Sequence, residues 1–370
     1  MSKKKTILIK ATSILPFKNG LIAGVGRSTI ELLNQFAVMD ENDLDISYYC
    51  TGLKSLKKWH PDWPFNYYSL PFSLRGSSRI SRFLEPLIRK YVLKRDLTHI
   101  TNNYDVVYEG ERFVVTIHDM ILYRMNPSSR DAFEKIGRES LAIATCSEFS
   151  KKEIMSLLHV PEEKISVIPW GINHSLFYKR EDEKINEVLE KYKIKGDYFF
   201  SCSCGSKRKN TDILIEAFHR FSKNRVCVSL VLTWGNCPEE IRIKYKKDIE
   251  ENRIVIISGV SDDELACLYS GAMATFFISS GEGFGFPLLE SFACGTPCVT
   301  CRNTSLPEIG KDLAFYVAER DVEQTINAMS HYSKEMKDDG SVLIKYARKY
   351  DWRQTALQYI EFYKSALKRS

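Results

Sequence analysis

From end to end of this chain, short runs of β-branched and aromatic residues alternate with stretches of helical periodicity. Strand patterns appear at 6–10, 45–50, 113–117, 143–146 and 165–168, then at 198–202, 226–232, 254–257, 274–278, 297–300 and 314–317. Helical patterns lie among them at 28–38, 151–158, 211–222, 262–270 and 288–294. Strands that pair in parallel need long crossovers, and a helix is the usual one. The strand runs are apolar nearly throughout, as in sheets covered by helices on both faces. The chain is therefore expected to be α/β.

The alternation breaks once. After Pro169-Trp170-Gly171 come about two dozen mostly polar residues, 173–196, including a charged helix at 183–193, before an apolar strand begins at Tyr198. This reads as the join between two α/β domains of similar size, 1–172 and 173–351. In such sheets ligands bind beyond the carboxyl ends of the strands, so two facing domains would enclose one cleft.

With 370 residues, 44% of them hydrophobic, the chain can bury cores without disulfide or metal staples. Its ten cysteines lack the paired His or Cys spacing of a metal site and suit buried thiols in a reducing compartment. No metal is expected. No run of 18 apolar residues occurs, and Lys10 interrupts the apolar stretch that follows Lys3-Lys4-Lys5, so the chain reads as cytoplasmic. Seven basic residues and one acid lie between Arg75 and Arg95, with Phe83, Leu84, Leu87, Ile88, Tyr91 and Val92 at helical spacing. Two readings stay open for 75–95. It is a core-facing helix with a solvated basic back, or a face resting on anionic lipid that makes the chain peripherally membrane-associated. The basic residues carry no interleaved stacking motif, so no nucleic-acid partner is expected.

The chemistry concentrates in Gly281-Glu282-Gly283-Phe284-Gly285-Phe286-Pro287-Leu288-Leu289-Glu290. Pro287 suits the first turn of a helix, and Gly295 with Pro297 suits its end. Glu282 then sits on a strand-to-helix loop and Glu290 in the helix it opens. Gly283 and Gly285 allow close backbone approach to a ligand. Carboxylates are poor partners for phosphate but good acceptors for sugar hydroxyls. The residues themselves thus read as a glycoside or nucleotide-sugar site.

The surrounding EGFGFPLLESFACGTPCV resembles the signature of glycosyltransferase family 4. The likeness extends to 260–269, to Ser305-Leu306-Pro307-Glu308-Ile309-Gly310, to 147–150 and 164–177, and to Thr116-Ile117-His118-Asp119. The resemblance implies GT-B architecture, two Rossmann-like domains facing a central cleft. In it 1–172 would bind the acceptor, 173–351 the nucleotide sugar, and a helix at 352–370 would pack back on the first domain. It further implies that Glu282 contacts donor-sugar hydroxyls and Glu290 the ribose, while backbone N–H groups of Phe284, Gly285 and Phe286 hold sugar and phosphates. Lys209 matches the family's diphosphate lysine. Gly24 and Gly26, ahead of the 28–38 helix, match its glycine loop, and His118 would sit by the reacting sugar. One departure stands out: the family's arginine five residues before the lysine is here Cys204, and Arg208 is the candidate for the second positive charge.

By this resemblance the chain is a retaining, metal-independent, mannosyltransferase-like hexosyltransferase. It would move a hexose from a nucleotide-diphosphate sugar to a saccharide or lipid-linked saccharide in surface polysaccharide or glycan synthesis. No cofactor is expected beyond the donor substrate. The His-Asp and Arg-Lys-Asn pattern points first to GDP-mannose, with UDP-hexoses and dTDP-rhamnose next. The alternative is a catalytically silent GT-B-like protein that binds a nucleotide sugar or glycan. A nicotinamide-dependent dehydrogenase ranks lower, for want of a Gly-x-Gly-x-x-Gly turn with an acid about twenty residues on.

Overall fold

The computed structural model describes residues 4–16, 22, 24–39, 43–70, 95–103, 111–202, 204–223, 228–334 and 339–369. Two compact units emerge, 1–171 together with 352–370, and 172–351. The segment 75–95 lies outside the described residues except for Arg95.

The first unit is built on a seven-strand sheet in the order β3-β2-β1-β4-β5-β6-β7. Its strands are β1 (Lys5–Lys10), β2 (Leu44–Thr51), β3 (Asn66–Leu70), β4 (Leu97–Ile100), β5 (Phe113–Thr116), β6 (Ala142–Thr145) and β7 (Ile165–Val167). All neighbours pair in parallel, with Ile7 opposite Ile46 and Leu97 across the first join. The strands β4, β5 and β6 are buried along their whole length, as sequences apolar on both faces require. The strands β3 and β4 escape the sequence reading, since one is half polar and the other only four residues long.

The C-terminal helix Trp352–Lys368 completes this unit. Its buried stripe of Ala356, Tyr359, Ile360 and Tyr363 packs with Leu32, Leu33 and Phe36 of the helix Gly24–Val38. A buried polar chain fastens it to the sheet. The hydroxyl of Tyr359 lies 2.9 Å from Thr116 Oγ1, which lies 2.8 Å from His99 Nε2, and Tyr363 reaches His99 Nδ1 at 2.7 Å.

The second unit holds a six-strand parallel sheet in the order β10-β9-β8-β11-β12-β13. These strands are β8 (Asp197–Ser201), β9 (Val228–Thr233), β10 (Ile254–Ile257), β11 (Ala274–Phe277), β12 (Cys298–Cys301) and β13 (Phe315–Val317). Sequence order reverses between β8 and β11, which are direct neighbours. That is the switch point of a doubly wound sheet, where diverging crossovers leave a crevice at the carboxyl ends. The nine described cysteines are free and eight are buried, mostly in this core, as small hydrophobes. Among the described residues no helix is long and apolar enough to cross a membrane, and no group of three or more His, Cys, Asp or Glu could hold a metal ion.

Candidate active site

The loops leaving the carboxyl ends of β8 and β11 bring Arg208, Lys209 and Glu282 together at the switch point of the second unit. After β8 the chain turns through Lys207–Lys209 and reaches Asn210, whose φ of 51° is left-handed and whose carbonyl opens the helix Thr211–Ser222. Asn210 is buried, and it tolerates this backbone because its side-chain amide is fully engaged. It donates to the carbonyl of Ile278 at 2.9 Å and accepts from Arg320 at 3.1 Å. Ser280 closes the other side, its backbone N–H donating to the carbonyl of Arg208 at 2.7 Å. The two loops are thereby fastened to one another.

Both cations converge on one carboxylate oxygen. Lys209 Nζ donates to Glu282 Oε1 at 2.7 Å, and Arg208 pairs with the same oxygen while also bonding the carbonyl of Gly281. The side chains of Lys209 and Glu282 are only 10% and 11% exposed, and that of Arg208 is 32% exposed. Lys209 Nζ also stands 4.3 Å from the centroid of the Phe277 ring. Two cations on one carboxylate leave surplus positive charge in a half-dry site, where an anion is held more strongly than at a wet surface. Cys204 adds no charge, because burial pushes its thiol up to about 12.

The Glu282 loop is held from β12 as well. The backbone N–H of Glu282 donates to Thr304 Oγ1 at 3.2 Å, and the Ser305 hydroxyl lies 3.0 Å from the carbonyls of both Glu282 and Phe284. Gly285 then takes φ 115° as the cap of the helix Phe286–Ala293, with Pro287 in its first turn. A Cβ at Gly285 would be strained by that φ and would stand 3.0 Å from Leu306. Phe284 is buried and packs against Phe286 at 5.4 Å between centroids. Glu290, one turn into the helix, accepts from Tyr269 at 2.8 Å, and the same hydroxyl lies 3.0 Å from the Cys202 thiol. Sequence reasoning assigned no contact to Tyr269, Ser280, Thr304, Ser305 or Arg320, and it read Asn210 only as part of the Arg-Lys-Asn pattern. They are ordinary polar residues that acquire meaning through the partners the fold brings to them.

Gly24, Gly26 and His118 belong to the first unit. The helix begins at Gly24 rather than Ser28, so both glycines lie in its first turn and not in a loop ahead of it. Gly24 is exposed, and among the described residues nothing stands within 4 Å of a Cβ there, whereas a Cβ on Gly26 would meet the Ser13 carbonyl oxygen at 2.2 Å. Close packing is what demands glycine at 26. His118 follows β5 and is buried. Its Nε2 donates to the Thr101 carbonyl at 2.9 Å, which fixes the tautomer, and Nδ1 is buried with no hydrogen-bond partner among the described residues. Burial pushes this imidazole down to about 4, so it is neutral at physiological pH. A cavity of about 10 Å³ beside it, lined by Thr29, His99, Thr101 and Tyr359, is the size of a single water.

Convergent cations, the carboxylate between them and a helix opening on glycine thus meet at the switch point of this sheet. The sequence pattern described as glycosyl transferases group 1 matches residues 182–350, and that of glycosyltransferase family 4 matches 22–176. The chain belongs to glycosyltransferase family 4. This family 4 chain is 26% identical over 370 residues to the O-antigen chain mannosyltransferase B of Escherichia coli, covering 93% of itself and 96% of that protein. It is also 26% identical to the MMP alpha-(1->4)-mannosyltransferase of Mycolicibacterium hassiacum, over 64% of this chain and 57% of that one. Among solved structures, a glycosyltransferase from Rickettsia africae matches with a TM-score of 0.77 at 18% identity, covering 99% of this chain and 100% of that one. Anabaena HepE in complex with UDP-glucose matches with a TM-score of 0.76 at 15% identity, over 98% and 100%. The fold of this glycosyltransferase is GT-B, two parallel-sheet α/β domains.

Proposed function

We propose that this family 4 glycosyltransferase moves a hexose from a nucleotide-diphosphate sugar to a saccharide acceptor in surface polysaccharide synthesis, with retention at the anomeric carbon. The observation that carries the reading is the convergence of Arg208 and Lys209 on Glu282 at the switch point. The diphosphate takes the two cations, which stabilise the charge that develops as it leaves. Arg208 offers a planar fork and Lys209 a point charge. Engagement of the cations by phosphate frees Glu282 to accept from sugar hydroxyls, and backbone N–H groups of Phe284, Gly285 and Phe286 add donors at the helix start. Glu290, already held by Tyr269, accepts from the ribose.

Gly24 at its helix start leaves room for a phosphate, and Gly26 sets that helix against its sheet. His118, neutral and held by Thr101, offers a sugar hydroxyl an acceptor at Nδ1. The acceptor hydroxyl arrives on the face from which the diphosphate departs, through an oxocarbenium-like state: its oxygen bonds the anomeric carbon as the bond to phosphate breaks, and its proton passes to the departing phosphate oxygen. These residues neutralise the leaving group without a metal ion. Mannose is the sugar favoured by the names of the curated relatives, and GDP-mannose heads the list of donors to try, ahead of UDP-hexoses and dTDP-rhamnose. The acceptor is a lipid-linked saccharide if 75–95 rests on anionic lipid.

Incubation with a panel of nucleotide sugars and saccharide acceptors tests this directly. One donor should release nucleoside diphosphate in an acceptor-dependent way. Glu282→Ala should remove at least about 100-fold of that rate, as loss of a transition-state contact does elsewhere. Full activity of Glu282→Ala and Lys209→Ala with every donor would show that the site is misplaced.

A further inference from the structure

The first unit carries an apolar and cationic turn that its fold leaves in water. Among the described residues eight large hydrophobic side chains are exposed, and three of these, Leu53, Leu56 and Trp59, fall within seven positions. Leu53 is 77% exposed, Leu56 67% and Trp59 37%. Scattered exposed leucines are ordinary, but clustered ones mark a contact surface. Leu53–Leu56 is one turn of 3-10 helix, in which residues three apart eclipse, so the two leucines share a face.

The turn is built to hold that face outward. Gly52 enters it with φ 99°, and Ser55 is fully buried, its hydroxyl 2.8 Å from that of Ser69 and its carbonyl accepting from Tyr67. Trp59 folds back across the turn, its indole N–H donating to the Lys54 carbonyl at 3.0 Å, and Lys57 Nζ stands 4.5 Å from the ring centroid. Of the three lysines in this stretch, Lys57 stands free of carbonyl partners over the Trp59 ring, whereas Lys54 Nζ donates to the Pro16 carbonyl and Lys58 Nζ to those of Pro61 and Trp63 among the described residues. No acid occurs between Asp45 and Asp62.

We infer that this turn docks the enzyme on a bilayer surface bearing anionic headgroups. Leucine and tryptophan side chains enter the headgroup region, and the Lys57 ammonium stays among the phosphates. Charge complementarity and area select the bilayer over a protein. Three side chains fall well short of the roughly 800 Å² per partner that a stable protein interface buries. A lipid surface needs no such area and no matching shape. The turn follows the carboxyl end of β2, on the same edge of the parallel sheet from which the His118 loop leaves β5. Docking there sets the substrate edge of this unit against lipid, which rests on the reading of the acceptor as lipid-linked.

Flotation of the full chain tests the inference with phosphatidylcholine vesicles and with vesicles of equal phosphatidylcholine and phosphatidylglycerol. Wild type should float with the anionic vesicles at low salt and stay behind with neutral ones. Leu53→Ser/Leu56→Ser should cut partitioning by about tenfold, given the apolar area withdrawn. Lys57→Glu should cut it by at least about fivefold, the effect of a single surface charge. Both variants should keep their melting temperature and their transfer rate to a soluble saccharide. Undiminished flotation of Leu53→Ser/Leu56→Ser, with loss only when basic residues of 75–95 are replaced, would overturn the role of this turn and leave the lipid-linked reading standing. No flotation of wild type would overturn both. A dimer in sedimentation that this double variant dissolves would assign the face to a second copy instead.

Discussion

Glu282 occupies the two cations proposed to take the leaving diphosphate, so its substitution should separate binding from transfer. Glu282→Gln keeps the side-chain volume and removes the charge that Lys209 and Arg208 hold. Calorimetry with the nucleoside diphosphate should show binding as tight as wild type or tighter, while transfer falls at least about 100-fold. Lys209→Ala should instead weaken the diphosphate about 10- to 100-fold, the worth of a charge-assisted hydrogen bond. Equal loss of binding in both variants would mean that Glu282 only props the loop. Titration supplies a second test at this scale. Burial holds His118 at about 4 and His99 at about 3, in the latter with help from the charge of His118. Both lie below the unfolded value near 6.5, so the unfolded chain binds more protons in between. The stabilisation is fully present above about 6.5 and is lost as pH falls through the folded values. For His118 the loss is on the order of 3 kcal/mol by pH 4. Thermal melts should show this fall, and it should be smaller in His118→Gln.

Between elements, the C-terminal helix is joined to the sheet by a closed polar chain as well as by its apolar stripe. Tyr363→Phe leaves Nδ1 of the buried His99 without its 2.7 Å partner and should cost about 1–3 kcal/mol, seen as a lower melting temperature. Gly26→Ala should cost a similar amount, because the Ser13 carbonyl leaves no room for a methyl group. A melt unchanged by either substitution would show that the helix contacts are looser than described. The helix Phe286–Ala293 is legible from its Pro and Gly punctuation, and the C-terminal helix from the family resemblance. Neither Thr116 nor His99 could be matched to Tyr359 and Tyr363, because hydrogen bonds across more than two hundred residues leave no periodic trace. The same holds at the site. Glycines flanking Glu282 mark a ligand loop, but the Asn210–Ile278 and Ser280–Arg208 bonds that align the cations exist only once β8 and β11 are neighbours. The start of the helix at Gly24 was missed because two glycines in four residues read as a loop, although the first turn of a helix tolerates them when packing is close.

For the molecule as a whole, the proposed transfer chemistry is run by side chains and backbone dipoles on a GT-B frame. Chelation should therefore leave the rate unchanged, whereas a fall in rate that divalent cation restores would mean that Arg208 and Lys209 do not suffice for the diphosphate. Nucleoside diphosphate release from a panel of GDP-, UDP- and dTDP-sugars, with and without saccharide acceptors, tests that chemistry in wild type and Glu282→Ala side by side. Expected are acceptor-dependent release with one donor, anomeric configuration kept in the product, and near-complete loss in Glu282→Ala. Donor bound without turnover on any acceptor, or turnover indifferent to Glu282, would contradict it.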